Sequence, residues 1–213
     1  MTDLWDRLER QLEIHAPELA TSLRPGVGEV ALATFEEGIG QRLPDDLREA
    51  YLRHDGCDHM RRTGAIGLFG TYRWLPLGEV CADWQRSRGG FDESDPYFYD
   101  REDGGWETLP IRPWQYPPPQ WIPLGGCVGV PARLYIDMLP GPLGTAGQVV
   151  GQDVDSMSTF VFCSSLAEYL LYLLDGLERG IVGVISIPGT QEQDWVRNDK
   201  TPFIPPGCVG VFG

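Results

Sequence analysis

The sequence predicts one domain that mixes helices with short strands. Three observations predict it. Amphipathic helical segments occur at 3–15, 29–38, 44–55, 77–87 and 165–178. Short apolar runs parted by Gly and Pro fill 121–164. The 213 residues, 42% of them hydrophobic, are enough for one sizeable core.

The first helix rests on Leu4, Leu8 and Leu12, four residues apart, with Trp5 beside them. Thr2 or Asp3 caps its start and Pro17 bars its continuation. The stretch TSLRPGVGE reads as a loop. The second helix carries Val30, Leu32, Phe35 and Ile39 as its apolar positions. LPDDLREAYLRHDG is the strongest local signal. Pro44 suits a first helical turn, and Asp45 and Asp46 sit near the positive end of the helix dipole. Leu47, Ala50, Tyr51 and Leu52 form the buried face, and Gly56 ends the helix.

GAIGLFGTYRWLPLGEV, 64–80, predicts short strands and a turn leading into the helix at 77–87. Residues 89–120 mix acids, aromatics, glycines and prolines, which predicts a long loop or hairpin inserted in the domain. Strands follow at 121–124, 127–130, 132–139, 147–153 and 159–164. In the next helix Ser165 and Glu168 form an S-x-x-E capping box. Leu166, Tyr169, Leu170, Leu173, Leu174 and Leu177 make its stripe, and Gly180 stops it. The domain is expected to span 1–180. The tail, 181–213, rich in Gly and Pro, reads as an irregular extension.

Composition narrows the function classes. No apolar run approaches the length of a membrane span, and charges throughout MTDLWDRLERQLEIH exclude a signal peptide. Five scattered cysteines with no C-x-x-C pair argue against a disulfide framework and for a reducing, cytoplasmic setting. A net charge of −14 opposes a nucleic-acid partner, because phosphate is repelled, and favours a basic protein partner or plain solubility.

DMLPGPLGTAGQVVGQD, 137–153, poses the choice between a phosphate cradle and a turn. A phosphate loop needs G-x-x-x-x-G-K-[ST] before a helix. Here Gly147 is followed by Gln148, Val149 and Val150, so a turn joining two antiparallel strands is the simpler reading, with Asp137 ending the first strand. GVGEVA, 26–31, resembles a dinucleotide fingerprint but follows no strand. HDGCDHM brings His54, Cys57 and His59 together, with Asp55 and Asp58 nearby. A closed zinc site usually takes four ligands in two pairs, and no second cluster exists, so no metal is expected. There is no G-x-S-x-G, and His15, His54 and His59 have no clear nucleophile partner, so neither catalytic residues nor a cofactor is assigned.

The insertion is the candidate partner-binding segment. Asp92, Glu93, Asp95, Asp100, Glu102 and Asp103 interleave with Tyr97, Tyr99 and Trp106. Aromatics give rigid contact area and carboxylates attract a basic partner. A solvated hairpin whose aromatics pack on the core explains the same pattern.

Taken in order, FEEGIGQRLPDDLREAYLRHDG, GLFGTYRWLPLGEVCADW, WIPLGG, LYIDMLPGPLGTAGQVV and SSLAEYLLYLLDGLERG resemble the SUKH superfamily. That superfamily includes Smi/Knr-type fungal cell-wall regulators and bacterial immunity proteins. The resemblance covers about residues 29–180, with GGCVGVPAR in place of the family's short polar turn. It implies an α+β fold with a central, mostly antiparallel sheet flanked by helices. It implies a binding module rather than an enzyme: an immunity protein blocking a basic cognate toxin such as a nuclease or deaminase, or alternatively a scaffold or regulator binding a host protein. A metal-dependent hydrolase built on His54, Cys57 and His59 is the reading from another class.

Overall fold

The computed structural model describes residues 2–58, 66–88, 108–112, 117–127, 132–153, 158–186, 189, 193–199, 201, 203–205 and 208–211. Within them the fold is α+β, and every strand pairing is antiparallel.

Helix α1 (Thr2–His15) buries Leu4, Trp5, Leu8 and Leu12. Trp5 stacks on Trp74, with ring centroids 5.8 Å apart. Pro17 does end α1, but it also starts α2 (Pro17–Ser22). A first helical position has no intrahelical partner for its N–H, so proline fits there. The expected loop at 21–29 contains β1 (Leu23–Pro25). Helix α3 (Glu29–Ile39) turns Leu32 and Phe35 inward, whereas Val30, expected among its apolar positions, is 81% exposed.

Helix α4 (Asp45–Arg53) buries Leu47, Ala50 and Tyr51, while Leu52 is half-buried. The helix ends at Arg53 rather than Gly56, because His54–Cys57 form β2 and pair with β1. Gly56 instead serves close packing. Its φ is +68°, and a Cβ there would lie 2.6 Å from the Leu75 carbonyl carbon and Pro76 N.

The central sheet has the order β10-β7-β6-β5-β4-β3. Its strands are β3 (Arg73–Trp74), β4 (Trp121–Gly126), β5 (Ala132–Asp137), β6 (Gln148–Asp153), β7 (Ser158–Cys163) and β10 (Val209–Val211). Strand β4 runs past the expected WIPL through Gly125 and Gly126. Of the strand expected at 127–130, Cys127 donates its N–H to Ala132 O and 128–130 lie outside the described residues. Alternation along β4, β5 and β6 separates two faces, and the register shift opposite Val149 and Val150 lets β7 give Val161 to one face and Cys163 to the other. Ile122, Leu124, Leu134, Ile136, Val149 and Cys163 join the main core with the helices. Trp121, Tyr135, Val150 and Val161 form a second cluster on the opposite face, closed by Ile111.

Helix α6 (Leu166–Glu178) presents its leucine stripe to the main core. Ser165 Oγ accepts from Glu168 N at 3.1 Å, as expected for a cap. The return half of the box differs: Glu168 Oε2 accepts from Ser164 N, 3.3 Å, one residue earlier. A further cap comes from another element, since Asp46 Oδ2 accepts from Ala167 N at 2.9 Å.

The described residues of the tail are not all irregular. They hold β8 (Val182–Ser186) paired with β9 (Gln193–Arg197), then β10 at the edge of the central sheet. Trp195 is 2% exposed and belongs to the main core. Its indole N–H lies 3.2 Å from Gly67 O and 3.3 Å from Leu68 O. Phe203 stacks on Tyr172 with centroids 4.6 Å apart. Gly and Pro content suggested irregularity; docking against residues 66–72 and α6 overrides it.

Candidate functional site

The residues expected to bind a partner, Asp92, Glu93, Asp95, Tyr97, Tyr99, Asp100, Glu102, Asp103 and Trp106, lie outside the described residues. The frame at either end of that segment is described. Helix α5 (Leu77–Arg88) leads into it. Asp55 Oδ1 accepts from Leu77 N at 2.7 Å and so satisfies an N–H of the helix start. At the other end of α5 the Arg88 guanidinium lies 4.7 Å from the centre of the Trp84 ring, a cation–π geometry. Trp84 also donates its indole N–H to Pro119 O at 2.8 Å, tying α5 to the chain just before β4.

Residues 108–112 form a strap on the turn between β5 and β6. Pro110 O accepts from Gly141 N at 3.0 Å, and Leu109 O accepts from Leu143 N at 3.3 Å. Arg112 Nε donates to Pro140 O at 3.2 Å. A Cβ at Gly141 would collide with the Leu109 carbonyl oxygen, and one at Gly144 with that of Pro110, so this turn needs glycine for close approach. The 137–153 stretch is therefore a turn between antiparallel strands, as its sequence predicts, and its glycines admit a peptide segment of the same chain.

Beneath the strap sits Asp137, 0% exposed. Its Oδ1 accepts from Leu139 N at 2.9 Å and its Oδ2 from Gln148 Nε2 at 3.0 Å. Burial pushes its pKa above the ordinary aspartate range, against the opposing pull of these donors and of Arg112. The Trp121 indole N–H is turned toward the carboxyl but falls short of a hydrogen bond. Tyr135, facing the same cluster, is pushed to about 12 chiefly by burial. The sequence shows Asp137 as a strand end and Gln148 only as the residue after a turn glycine; the signal for their pairing is a carboxylate closing one apolar strand and a Gln heading the next.

Of His54, Cys57 and His59, the first two lie among the described residues. His54 Nε2 lies 2.8 Å from Glu9 Oε1 and Nδ1 lies 3.1 Å from Arg24 O, so both ring nitrogens already have protein partners. Burial pushes Cys57 up to about 11, which keeps it a thiol rather than a nucleophilic thiolate. His59 lies outside the described residues. Asp55 pairs with Arg24 at 3.3 Å, and Asp58 with the same guanidinium at 3.3 Å. Among the described residues no three His, Cys, Asp or Glu side chains come together as metal ligands. No described helix is long and apolar enough to cross a membrane.

The sequence block around α4 is a packing device. Glu36 on α3 accepts from Leu43 N at 2.8 Å and pairs with Arg48 on α4. Arg48 also reaches Glu29 at 2.8 Å. Arg53 binds Glu9 through two bonds, 2.6 and 2.7 Å, fastening α1 to α4. The described residues thus pack the helices and the inner sheet face around one main core, and both flanks of the 89–107 stretch are tied to that scaffold.

Comparison with known proteins agrees with this architecture. The chain is similar to KNR4/SMI1 homolog 2 of Debaryomyces hansenii, 30% identical over 215 residues, covering 83% of this chain and 35% of that protein. It is similar to the cell wall assembly regulator SMI1 of Saccharomyces cerevisiae, 26% identical, covering 83% of this chain and 40% of that protein. It also resembles human F-box only protein 3, 34% identical over 91 residues, covering 42% of this chain and 18% of that protein. The chain thus spans well under half the length of these relatives. The model of the SMI1 / KNR4 family (SUKH-1) matches residues 26–172, the stretch from the end of β1 into α6 that carries the α3–α4 block, most of the central sheet and the Asp137 turn, and this chain belongs to that family.

Proposed function

We propose that this chain is a non-enzymatic, intracellular protein-binding module of the regulator or scaffold type. One observation carries the reading: the fungal relatives it matches over most of its length are named as regulators, of cell wall assembly in Saccharomyces cerevisiae and of cell wall biosynthesis and the cell cycle in Schizosaccharomyces pombe. Since the chain spans 40% or less of those proteins, the proposal is limited to binding. The net charge of −14 points to a basic partner. We assign the docking contact to Asp92, Glu93, Asp95, Tyr97, Tyr99, Asp100, Glu102, Asp103 and Trp106, with the aromatics as anchors and the carboxylates as steering charges.

The test is to recover the bound protein by affinity purification of the full chain, then to measure kinetics by surface plasmon resonance across a salt series. Replacing Asp100, Glu102 and Asp103 with Asn, Gln and Asn slows association at low salt, and Tyr99→Ala speeds dissociation. A triple variant that associates as fast as wild type removes this docking face. Small-molecule turnover by the purified chain, abolished by one substitution, removes the non-enzymatic reading.

The same charge favours a second reading: an immunity protein that fills the basic groove of a nuclease or deaminase toxin. Co-expression with a candidate toxin decides it. Cells survive only when a stoichiometric complex forms.

A further inference from the structure

Gln148 has three partners, and their chemistry fixes its amide. The Thr145 N–H donates to Oε1 at 3.2 Å, so Oε1 must face the turn. Nε2 donates to Pro110 O at 2.8 Å and to Asp137 Oδ2 at 3.0 Å. One buried side chain thereby joins the end of β5, the β5–β6 turn and the strap. We infer that Gln148 is the positioning residue of this strap: it latches residues 108–112 over the second face of the sheet and onto the β5–β6 turn. The latch itself does not rest on the protein-binding reading above.

Asp137 is suited to hold the latch because an ionised carboxylate accepts on both oxygens. Leu139 N takes one and Gln148 Nε2 takes the other. An amide in its place forfeits one of these acceptors. Pro110 O, the strap's main acceptor, receives Gly141 N as well as Gln148 Nε2. Ile111 is the strap's contribution to the apolar cluster of Trp121, Tyr135, Val150 and Val161. A segment held by a few hydrogen bonds and one apolar plug opens at a lower free energy than the core beneath it.

Amide hydrogen exchange on the full chain tests the latch without any partner. The Gly141 and Leu143 amides report on the strap, because their acceptors are strap carbonyls. The Leu170 and Leu173 amides, inside α6, report on the core. Gln148→Met keeps the bulk and removes both Nε2 donations. Gly144→Ala keeps both Nε2 donors and drives a methyl group to 2.1 Å from the Pro110 carbonyl oxygen, and also to 2.7 Å from Pro140 Cβ and 2.9 Å from Gln148 Oε1. Each substitution is expected to raise exchange at Gly141 and Leu143 by about tenfold or more, with Leu170 and Leu173 changing by less than about threefold, the pattern of a local opening. Unchanged exchange at Gly141 and Leu143 in Gln148→Met overturns the inference, even if Gly144→Ala moves them. A rise in step with Leu170 and Leu173 also overturns it, since that shows general loss of stability.

Discussion

Trp195→Ala examines whether the hairpin after α6 is part of the core or an appendage. The indole is 2% exposed and packs in the main cluster with the helices and the inner sheet face. Emptying such a site by a Trp-to-Ala change costs about 3–5 kcal/mol. Trp195→Phe separates packing from hydrogen bonding. It leaves most of the ring volume but removes the N–H shared between Gly67 O and Leu68 O. Leu68 O still accepts from the Tyr169 hydroxyl at 2.7 Å and Gly67 pairs with Gly70 in an isolated bridge, so the loss is one shared hydrogen bond, about 0.5–1.5 kcal/mol. In urea, with a slope of about 2–3 kcal/mol per molar, the alanine variant melts about 1–2.5 M earlier than wild type. The phenylalanine variant falls between them. The reasoning is refuted if Trp195→Ala keeps the wild-type midpoint and slope, because the indole would then pack on nothing that folding depends on.

Leu173→Ala, on the stripe of α6, lowers stability by about 2–5 kcal/mol, and an unchanged urea midpoint disproves the packing of that stripe. Asp46→Ala withdraws the acceptor from Ala167 N, and the cost is about 0.5–2 kcal/mol as for an N-cap. Adding Ser165→Ala costs a similar amount again, because Ser165 serves a different donor, Glu168 N; thermal melts of the double variant show whether the two losses add. Asp137 gives a pH signature. Its folded pKa is raised above the ordinary 3.8, so its contribution to stability is fully present below that value and is lost as pH rises through the folded pKa. Asp137→Asn removes this titration, so the variant gains on wild type as pH rises above the ordinary 3.8 through the raised folded pKa, whatever the offset from the altered hydrogen bonds. Urea melts at three pH values measure the trend, and a gap that is flat or runs the other way contradicts it.

Features that depend on neighbours in sequence were legible. The stripe and cap of α6 follow from a 3.6-residue period and one serine, and the β5–β6 turn follows from its Gly and Pro residues. Features that depend on distant partners were not. The end of α4 moved to Arg53 because β1, some thirty residues earlier, claims His54–Cys57. Asp46 was read as favouring its own helix, and it does accept from Leu47 N, but its second oxygen serves α6. The tail misled because Gly and Pro content says nothing about where Trp195 lands. At the candidate site Asp137 was visible as a polar residue closing an apolar strand. Gln148 and the strap were not, since their link spans 38 residues of chain.

The cap that Asp46 gives to Ala167 joins positions 121 residues apart. It has a consequence for the order of folding. The amide at Ala167, in the first turn of α6, stays without this partner until α4 has formed and the long loop between them has closed. Loop closure of that length is entropically slow to reward, and chains dominated by such pairings fold more slowly than their helix content suggests. The Leu stripe of α6 can collapse early onto whatever apolar surface is nearest. The Asp46–Ala167 contact is therefore expected to form after the local contacts of α6, which stopped-flow kinetics of Asp46→Ala would check as faster unfolding with little change in the folding rate.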